Sequence, residues 1–192
     1  TYYITNTIIK YLLIIMTPIQ EIILNKKTTN TPIWLMRQAG RYLPEFRKIR
    51  KSNPNFINLC LDENLCSEIT VQPLRRFELD AAIIFSDILM LPYGLNQKVE
   101  FKKDFGPQLG PLDLETISKI DEIDFLKKLY PIYKSIKKVS GNNLIKNKNL
   151  IGFIGAPWTL LVYMINKHSP KKKLIKDFFK DEFLINRVLI IL

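Results

Sequence analysis

The sequence predicts an α/β fold in which short strands of a parallel sheet alternate with helices. Three apolar runs have the length and composition of strands that are buried on both faces, and they cover residues 33–36, 81–85 and 150–154. Segments with the helical spacing of apolar residues separate these runs. Buried strands that alternate with helices are typical of parallel sheets, because the helices cover the sheet from both sides.

The number of strands limits the kind of α/β fold. Three strand–helix units do not close a barrel, since an eight-stranded α/β barrel takes about 250 residues. The chain has 192 residues, contains no repeat or linker, and ends within the apolar run 189–192. We therefore expect residues 16–192 to be the N-terminal part of a single domain, the first part of an incomplete (β/α)8 barrel of the TIM type.

Helices are predicted from capping residues, proline positions and apolar spacing. Thr17 and Gln20 have the spacing of a capping box around a proline that suits the first helical position. Asp62 is predicted to cap a long helix that Pro73 kinks and that turns Phe77 inward. The predicted helices cover residues 18–25, 44–51, 63–78, 123–139, 158–166 and 173–179, and a last helix begins near residue 181.

Three stretches lie outside this alternation. Residues 99–101 alternate between apolar and polar side chains, which predicts a strand of a small hairpin or arm. Residues 106–111 are rich in glycine and proline and are predicted to form turns. Residues 141–149 are polar and are predicted to form a surface loop.

The first fifteen residues differ from the rest of the chain. Residues 1–15 are apolar but contain Lys10, and the stretch is shorter than the roughly 20 residues that a membrane helix requires. It has neither the basic start nor the small-residue cleavage site of a signal peptide. We expect the native protein to begin at Met16, with residues 1–15 as an upstream extension, and we expect no membrane partner.

The composition is that of a globular protein with an excess of lysine. Hydrophobic residues make up 47%, charged residues 24%, and the formal net charge is +11. The lysines are scattered and form no stripe interleaved with aromatic residues, which argues against a nucleic-acid partner. A basic module that binds polyanions stays an alternative. Cys60 and Cys66 have the spacing of neither a disulfide framework nor a zinc site, so free thiols in a reducing cytoplasm are predicted.

Candidate site residues follow the ends of the predicted strands. Arg37 and Arg41 follow the first strand, and Asp87 follows the second. In an α/β barrel these ends share the face on which active sites lie. A guanidinium binds a carboxylate through two parallel hydrogen bonds. The alternative for both arginines is a solvated side chain or pairing with Glu45. The alternative for Asp87 is a cap on the next helix.

Several segments resemble the signature sequences of the uroporphyrinogen decarboxylase family. They are PIWLMRQAGRYLPE at residues 32–45, QPLRRF at 72–77, DAAIIFSD at 80–87, FSDIL at 85–89 and GFIGAPWTL at 152–160. They occur in the order that the family has, and the resemblance extends from about Met16 to the end of the chain. The first segment is long, which makes the resemblance specific.

The resemblance implies a distorted (β/α)8 barrel that forms a homodimer when it is full length. It also implies the decarboxylation of the four acetate side chains of uroporphyrinogen III to coproporphyrinogen III, in haem and porphyrin biosynthesis, without a metal or cofactor. By resemblance, Arg37 and Arg41 bind substrate carboxylates, and Arg37 assists proton delivery. Arg50 lies nearby, Asp87 accepts hydrogen bonds from the pyrrole N–H groups, and Tyr163 lines the cleft. Without the resemblance, Arg50 is read as the polar face of a helix and Tyr163 as core.

The sequence also departs from the family. The family's later motifs, which supply a serine and a histidine, have no counterpart here, and the surroundings of His168 do not match them. This chain is therefore predicted to be inactive by itself, while the full-length protein is a cytoplasmic enzyme. The alternatives are a related barrel methyltransferase, the basic binding module and a degraded gene without function.

Overall fold

A computed structural model describes residues 16–25, 30–169 and 180–192. Residues 1–15 and the predicted helix 173–179 lie outside these ranges. The helices are α1 (Pro18–Asn25), α2 (Pro44–Ser52), α3 (Phe56–Leu61), α4 (Glu63–Arg76), α5 (Met90–Gly94), α6 (Leu114–Lys119), α7 (Glu122–Ser140), α8 (Pro157–Asn166) and α9 (Glu182–Ile191). The strands are β1 (Ala81–Ile83), β2 (Val99–Lys102), β3 (Gly106–Leu109) and β4 (Asn149–Ile151), and a 3₁₀ turn covers Asn143–Ile145.

Strands β1 and β4 form the parallel pair that the sequence predicts. Ala82 lies opposite Leu150, and beyond the end of β1 the Ile84 N–H donates to the Ile151 carbonyl at 3.0 Å. Helices α4 and α7 pack against each other, and buried side chains of α4, α7 and β1 share one apolar cluster. The helices therefore cover this sheet, as buried parallel strands require.

The first predicted strand, residues 33–36, was wrong, because the structure gives this segment no strand. It is linked to the start of β1 by one backbone bond, from the Asp80 N–H to the Ile33 carbonyl at 2.8 Å, and by side chains. The Asp80 carboxylate accepts from the Ile33 N–H at 2.6 Å, and the Gln38 amide donates to the Ala81 carbonyl at 2.9 Å. The apolar side chains are also exposed, with 57% of Ile33 accessible. An apolar run without a strand partner looks like a buried strand from the sequence alone.

Strands β2 and β3 form an antiparallel hairpin, which confirms the prediction for residues 99–101. The turn prediction for residues 106–111 was wrong in part, because pairing begins at once with Lys102 opposite Gly106. Asp104 and Gly106 have φ angles of 65° and 75° and make the turn between the strands. Glycine and proline therefore mark only the start of β3 and not a continuous loop.

Local capping rules determine several helix starts. The Thr17 N–H donates to Gln20 Oε1 at 3.0 Å and the Gln20 N–H donates to Thr17 Oγ1 at 3.3 Å, which confirms the capping box of α1. Asp62 Oδ1 accepts from two N–H groups of α4, each at 2.9 Å. The predicted inward position of Phe77 was wrong, since α4 ends at Arg76 and 45% of Phe77 is exposed. Phe77 has extended backbone angles, which turn its ring off the inward face of the helix.

Phe85, which follows β1, joins the three apolar clusters of the core. Its ring packs against Phe46 at 5.8 Å and Phe56 at 5.5 Å between centroids, in edge-to-face geometry. It also borders the cluster between α4, α7 and β1. Phe85 thus anchors the chain just before Asp87. Within the described ranges, none of the helices is both long and apolar enough to span a bilayer.

Candidate active site

A cleft of about 680 Å³ lies beyond the carboxyl ends of β1 and β4. Its walls bring together three of the predicted site residues, Arg37, Asp87 and Tyr163. Apolar side chains, among them Trp34 and Phe153, line the rest. The size and the mixture of apolar walls with a few polar groups are typical of small-molecule sites.

Asp87 is held by the turn that follows β1. Its Oδ1 accepts from the Leu89 N–H at 2.9 Å, and its carbonyl accepts from the Met90 N–H at 3.1 Å. Leu89 rather than Asp87 is the N-cap of α5, so Asp87 stabilises the turn before the helix. No described residue donates to the second carboxylate oxygen. Burial raises the pKa of Asp87, and the Leu89 hydrogen bond opposes this effect.

Arg37 is exposed at the wall of the same cleft. Among residues 16–25, 30–169 and 180–192, its guanidinium has neither an ion pair nor a hydrogen bond. Pairing with Glu45 was wrong, because Glu45 forms two bonds with Arg76, Nε to Oε1 at 2.7 Å and Nη2 to Oε2 at 2.9 Å. These bonds lower the pKa of Glu45. Arg37 therefore keeps its donors for a ligand.

Arg41 and Arg50 lie outside the wall of this cleft. The Arg50 Nη1 donates to the Asn53 carbonyl at 2.7 Å, and its guanidinium lies 5.4 Å from the centroid of the Phe56 ring. Burial lowers the pKa of Arg50, and the positive charge of Arg41 lowers it further. The two arginines thus form a second region of positive charge, and part of Arg50 is used in packing.

Tyr163 belongs to α8 and lies between the apolar core and the cleft. Its side chain is half-buried against the largest apolar cluster and also lines the cleft. Pro157 begins the helix at its first position, and Lys167, with a φ of 62°, is the C-cap that follows its last residue, Asn166. Tyr163 lies in the second half of this helix and, like Asp87, lines the cleft.

Gln38 is a site-supporting residue that the sequence did not single out. It is 2% exposed, and its Oε1 accepts from the Leu35 N–H at 3.2 Å while its amide holds the Ala81 carbonyl. The Tyr42 hydroxyl donates to its backbone carbonyl. Gln38 therefore ties the arginine loop to β1. From the sequence alone, a glutamine between two arginines is expected to be exposed to solvent. Only its position in the long signature segment draws attention to Gln38.

The described part of the chain contains no group of three or more His, Cys, Asp or Glu side chains arranged to hold a metal ion. His168 lies away from the cleft, with its Nδ1 3.0 Å from the Asn166 amide nitrogen. Cys60 and Cys66 are free and buried, as predicted, and burial raises the pKa of both thiols. High thiol pKa values make both cysteines poor nucleophiles.

Comparison with solved structures defines the class of fold. A methyltransferase from Methanosarcina mazei aligns with a TM-score of 0.65 over 92% of this chain and 52% of that chain. At 14% sequence identity this likeness concerns the fold alone. Together with the parallel pair and its covering helices, it defines an α/β protein.

Residues 16–192 match the family model of uroporphyrinogen decarboxylase (URO-D), and the chain belongs to this family, whose fold is of the TIM-barrel type. The uroporphyrinogen decarboxylase of Agrobacterium fabrum is 49% identical over 148 residues, which are 77% of this chain and 43% of the relative. That of Rickettsia canadensis is 44% identical over 160 residues, 83% of this chain and 47% of the relative. The chain spans less than half the length of these relatives.

Proposed function

We propose that the whole protein removes carbon dioxide from the four acetate side chains of uroporphyrinogen III, giving coproporphyrinogen III in haem and porphyrin biosynthesis. The observation that carries this proposal is the meeting of Arg37 and Asp87 in one cleft of a chain that belongs to this family. Residues 16–192 supply the first part of the (β/α)8 barrel, and residues 1–15 lie upstream of it.

Recognition of this substrate rests on cations. Uroporphyrinogen carries eight carboxylates, and an arginine fork binds a carboxylate through two hydrogen bonds. Arg37 has no described partner and is therefore available for this contact. Arg41 and Arg50, in their separate region of positive charge, bind carboxylates farther along the macrocycle. Tyr163 packs against the substrate where it enters the cleft.

Decarboxylation needs an electron sink, which the pyrrole ring supplies. A proton added to the ring carbon next to the one that bears the acetate produces a cationic iminium that is conjugated with the acetate carbon. The bond to the carboxylate then breaks, its electron pair neutralises the iminium, and carbon dioxide leaves. A second proton converts the remaining exocyclic methylene into a methyl group, and loss of the first proton from the ring carbon restores the pyrrole. Arg37 assists proton delivery, and no metal or cofactor is part of the proposal.

Asp87 stabilises the charge that develops on the pyrrole. Its carboxylate is fixed by the Leu89 hydrogen bond before substrate arrives, and one oxygen stays available to accept from pyrrole N–H groups. A group fixed in this way loses little energy through reorganisation during the reaction, and such groups contribute on the order of 3 kcal/mol to catalysis. Partial burial strengthens the interaction with a cation, because the surroundings screen charge less than water does.

The test is turnover by the whole protein, which we propose is a cytoplasmic homodimer. Purified protein is incubated anaerobically with uroporphyrinogen III, and the products are oxidised and separated by chromatography. We expect porphyrins with seven, six, five and finally four carboxylates. A folded protein that yields none of these contradicts the proposal. In parallel, zinc content tests the methyltransferase alternative, and salt-dependent binding to DNA tests the polyanion alternative.

A further inference from the structure

The backbone of Phe85 changes partner at the end of β1. The preceding N–H, that of Ile84, still pairs with β4 through the Ile151 carbonyl. The Phe85 N–H donates instead to Thr70 Oγ1 at 2.9 Å. Thr70 belongs to α4 and is fully buried, so this hydrogen bond is shielded from water. A helix side chain thus takes the place that a strand carbonyl would have.

The Thr70 hydroxyl is itself fixed. It donates its own proton to the Cys66 carbonyl one turn earlier at 2.8 Å, which directs its lone pairs toward Phe85. The Cys66 thiol donates to the Phe85 carbonyl, so both backbone groups of this residue are bonded to α4. The ring of Phe85 packs against apolar side chains, but this packing does not fix where the backbone lies along the strand axis. The hydrogen bond to the Thr70 hydroxyl fixes that position.

Asp87 lies two residues beyond this bond. On its far side the carboxylate is bonded to the Leu89 N–H. The other described backbone bonds of this segment are the Cys66 thiol bond to the Phe85 carbonyl and two local bonds of the turn, from the Met90 N–H to the Asp87 carbonyl and from the Leu91 N–H to the Ile88 carbonyl. We infer that Thr70 is a positioning residue for Asp87, because its hydroxyl fixes the backbone that carries the carboxylate into the cleft. This inference rests on the proposed function for its catalytic consequence.

The central test uses the whole protein and three variants. Thr70→Val keeps the shape and removes the hydroxyl, and Thr70→Ser keeps the hydroxyl. Ser67→Ala is the matched control, because Ser67 is a buried hydroxyl of the same helix that bonds the Glu63 carbonyl and does not contact Phe85. We expect kcat to fall about tenfold to a hundredfold in Thr70→Val. Thr70→Ser and Ser67→Ala should stay within about twofold of wild type.

A double variant separates positioning from a general structural role. If Thr70 acts through Asp87, adding Thr70→Val to Asp87→Asn should lower kcat no further. Additive losses would overturn the inference, because they would show that the two residues act independently. Equal loss in Thr70→Ser and Thr70→Val would also overturn it.

Hydrogen exchange tests the same contact without substrate, so its result stands even if no uroporphyrinogen is converted. In the wild-type protein the Phe85 amide should be protected although it has no backbone acceptor. In Thr70→Val it should exchange at least tenfold faster, while amides around Ser67 stay unchanged. An unprotected Phe85 amide in the wild type would overturn the inference even if the Val variant does not fold.

Discussion

Replacing Asp87 by Asn separates the charge of this residue from its shape. Asparagine keeps a side-chain oxygen that can accept from the Leu89 N–H, so the turn before α5 should persist. What disappears is the negative charge beside the pyrrole. If the fixed carboxylate contributes on the order of 3 kcal/mol, kcat should fall by roughly a hundredfold or more.

The stability of the same variant should move in the opposite direction. Burial raises the pKa of Asp87 above its value in the unfolded chain, so the folded protein holds the proton more tightly. The ionised carboxylate therefore costs stability at neutral pH, and this cost disappears as the pH falls below the ordinary range of aspartate. Asp87→Asn should unfold at the same temperature as wild type or higher at pH 7. The difference should shrink toward pH 3.

The assay combines turnover with thermal unfolding of the whole protein. Asp104→Asn is the matched control, because Asp104 is an exposed carboxylate in the hairpin turn with a positive φ that asparagine tolerates. It should keep full activity. A folded Asp87→Asn protein with near-normal kcat would remove Asp87 from the mechanism. A large loss of stability at pH 7 would show that its charge supports the fold.

Three further predictions concern the rest of the chain. Arg37→Lys should lower kcat/KM about tenfold, because the charge remains but the two parallel hydrogen bonds of the guanidinium are lost. An unchanged kcat/KM of this variant in steady-state kinetics would show that charge alone suffices. Asp62→Ala should lower the free energy of unfolding by about 1 kcal/mol in urea titrations, whereas Asp62→Asn should restore it. Residues 16–192 alone should self-associate in sedimentation, because Met36 and Ile154 are 78% and 75% exposed, and a monomer with a sharp unfolding transition would contradict this.

Features that depend on neighbouring residues could be predicted from the sequence. The capping box at Thr17 needs only a residue three positions away, and the Asp62 cap needs only the next three residues. The long helix α7 has enough turns for its apolar spacing to be recognised. The short helices α3, α5 and α6 have fewer than two turns, too few for their apolar spacing to repeat, and were missed.

The site could be predicted in part, because strand ends are easier to locate than side-chain directions. Arg37, Asp87 and Tyr163 do reach one cleft. Arg41 and Arg50 lie outside its wall. The direction of Arg50 depends on its contact with Phe56, which lies in a helix that the sequence did not predict. Their roles in substrate binding stay predictions.

The departures from regular strand pairing and the cleft have a common physical origin. The Asp80 and Gln38 side chains join the segment before Arg37 to the start of β1, and Thr70 bonds the Phe85 N–H beyond β1, where a neighbouring strand would otherwise pair. A paired strand holds two backbones about 4.8 Å apart along its whole length. These side chains and the one backbone bond from the Asp80 N–H to the Ile33 carbonyl hold the chain only at isolated points, so the segments that carry Arg37 and Asp87 can diverge immediately afterwards. The space between them is the cleft, and the long-range side-chain contacts that create it are the feature that local sequence rules do not include.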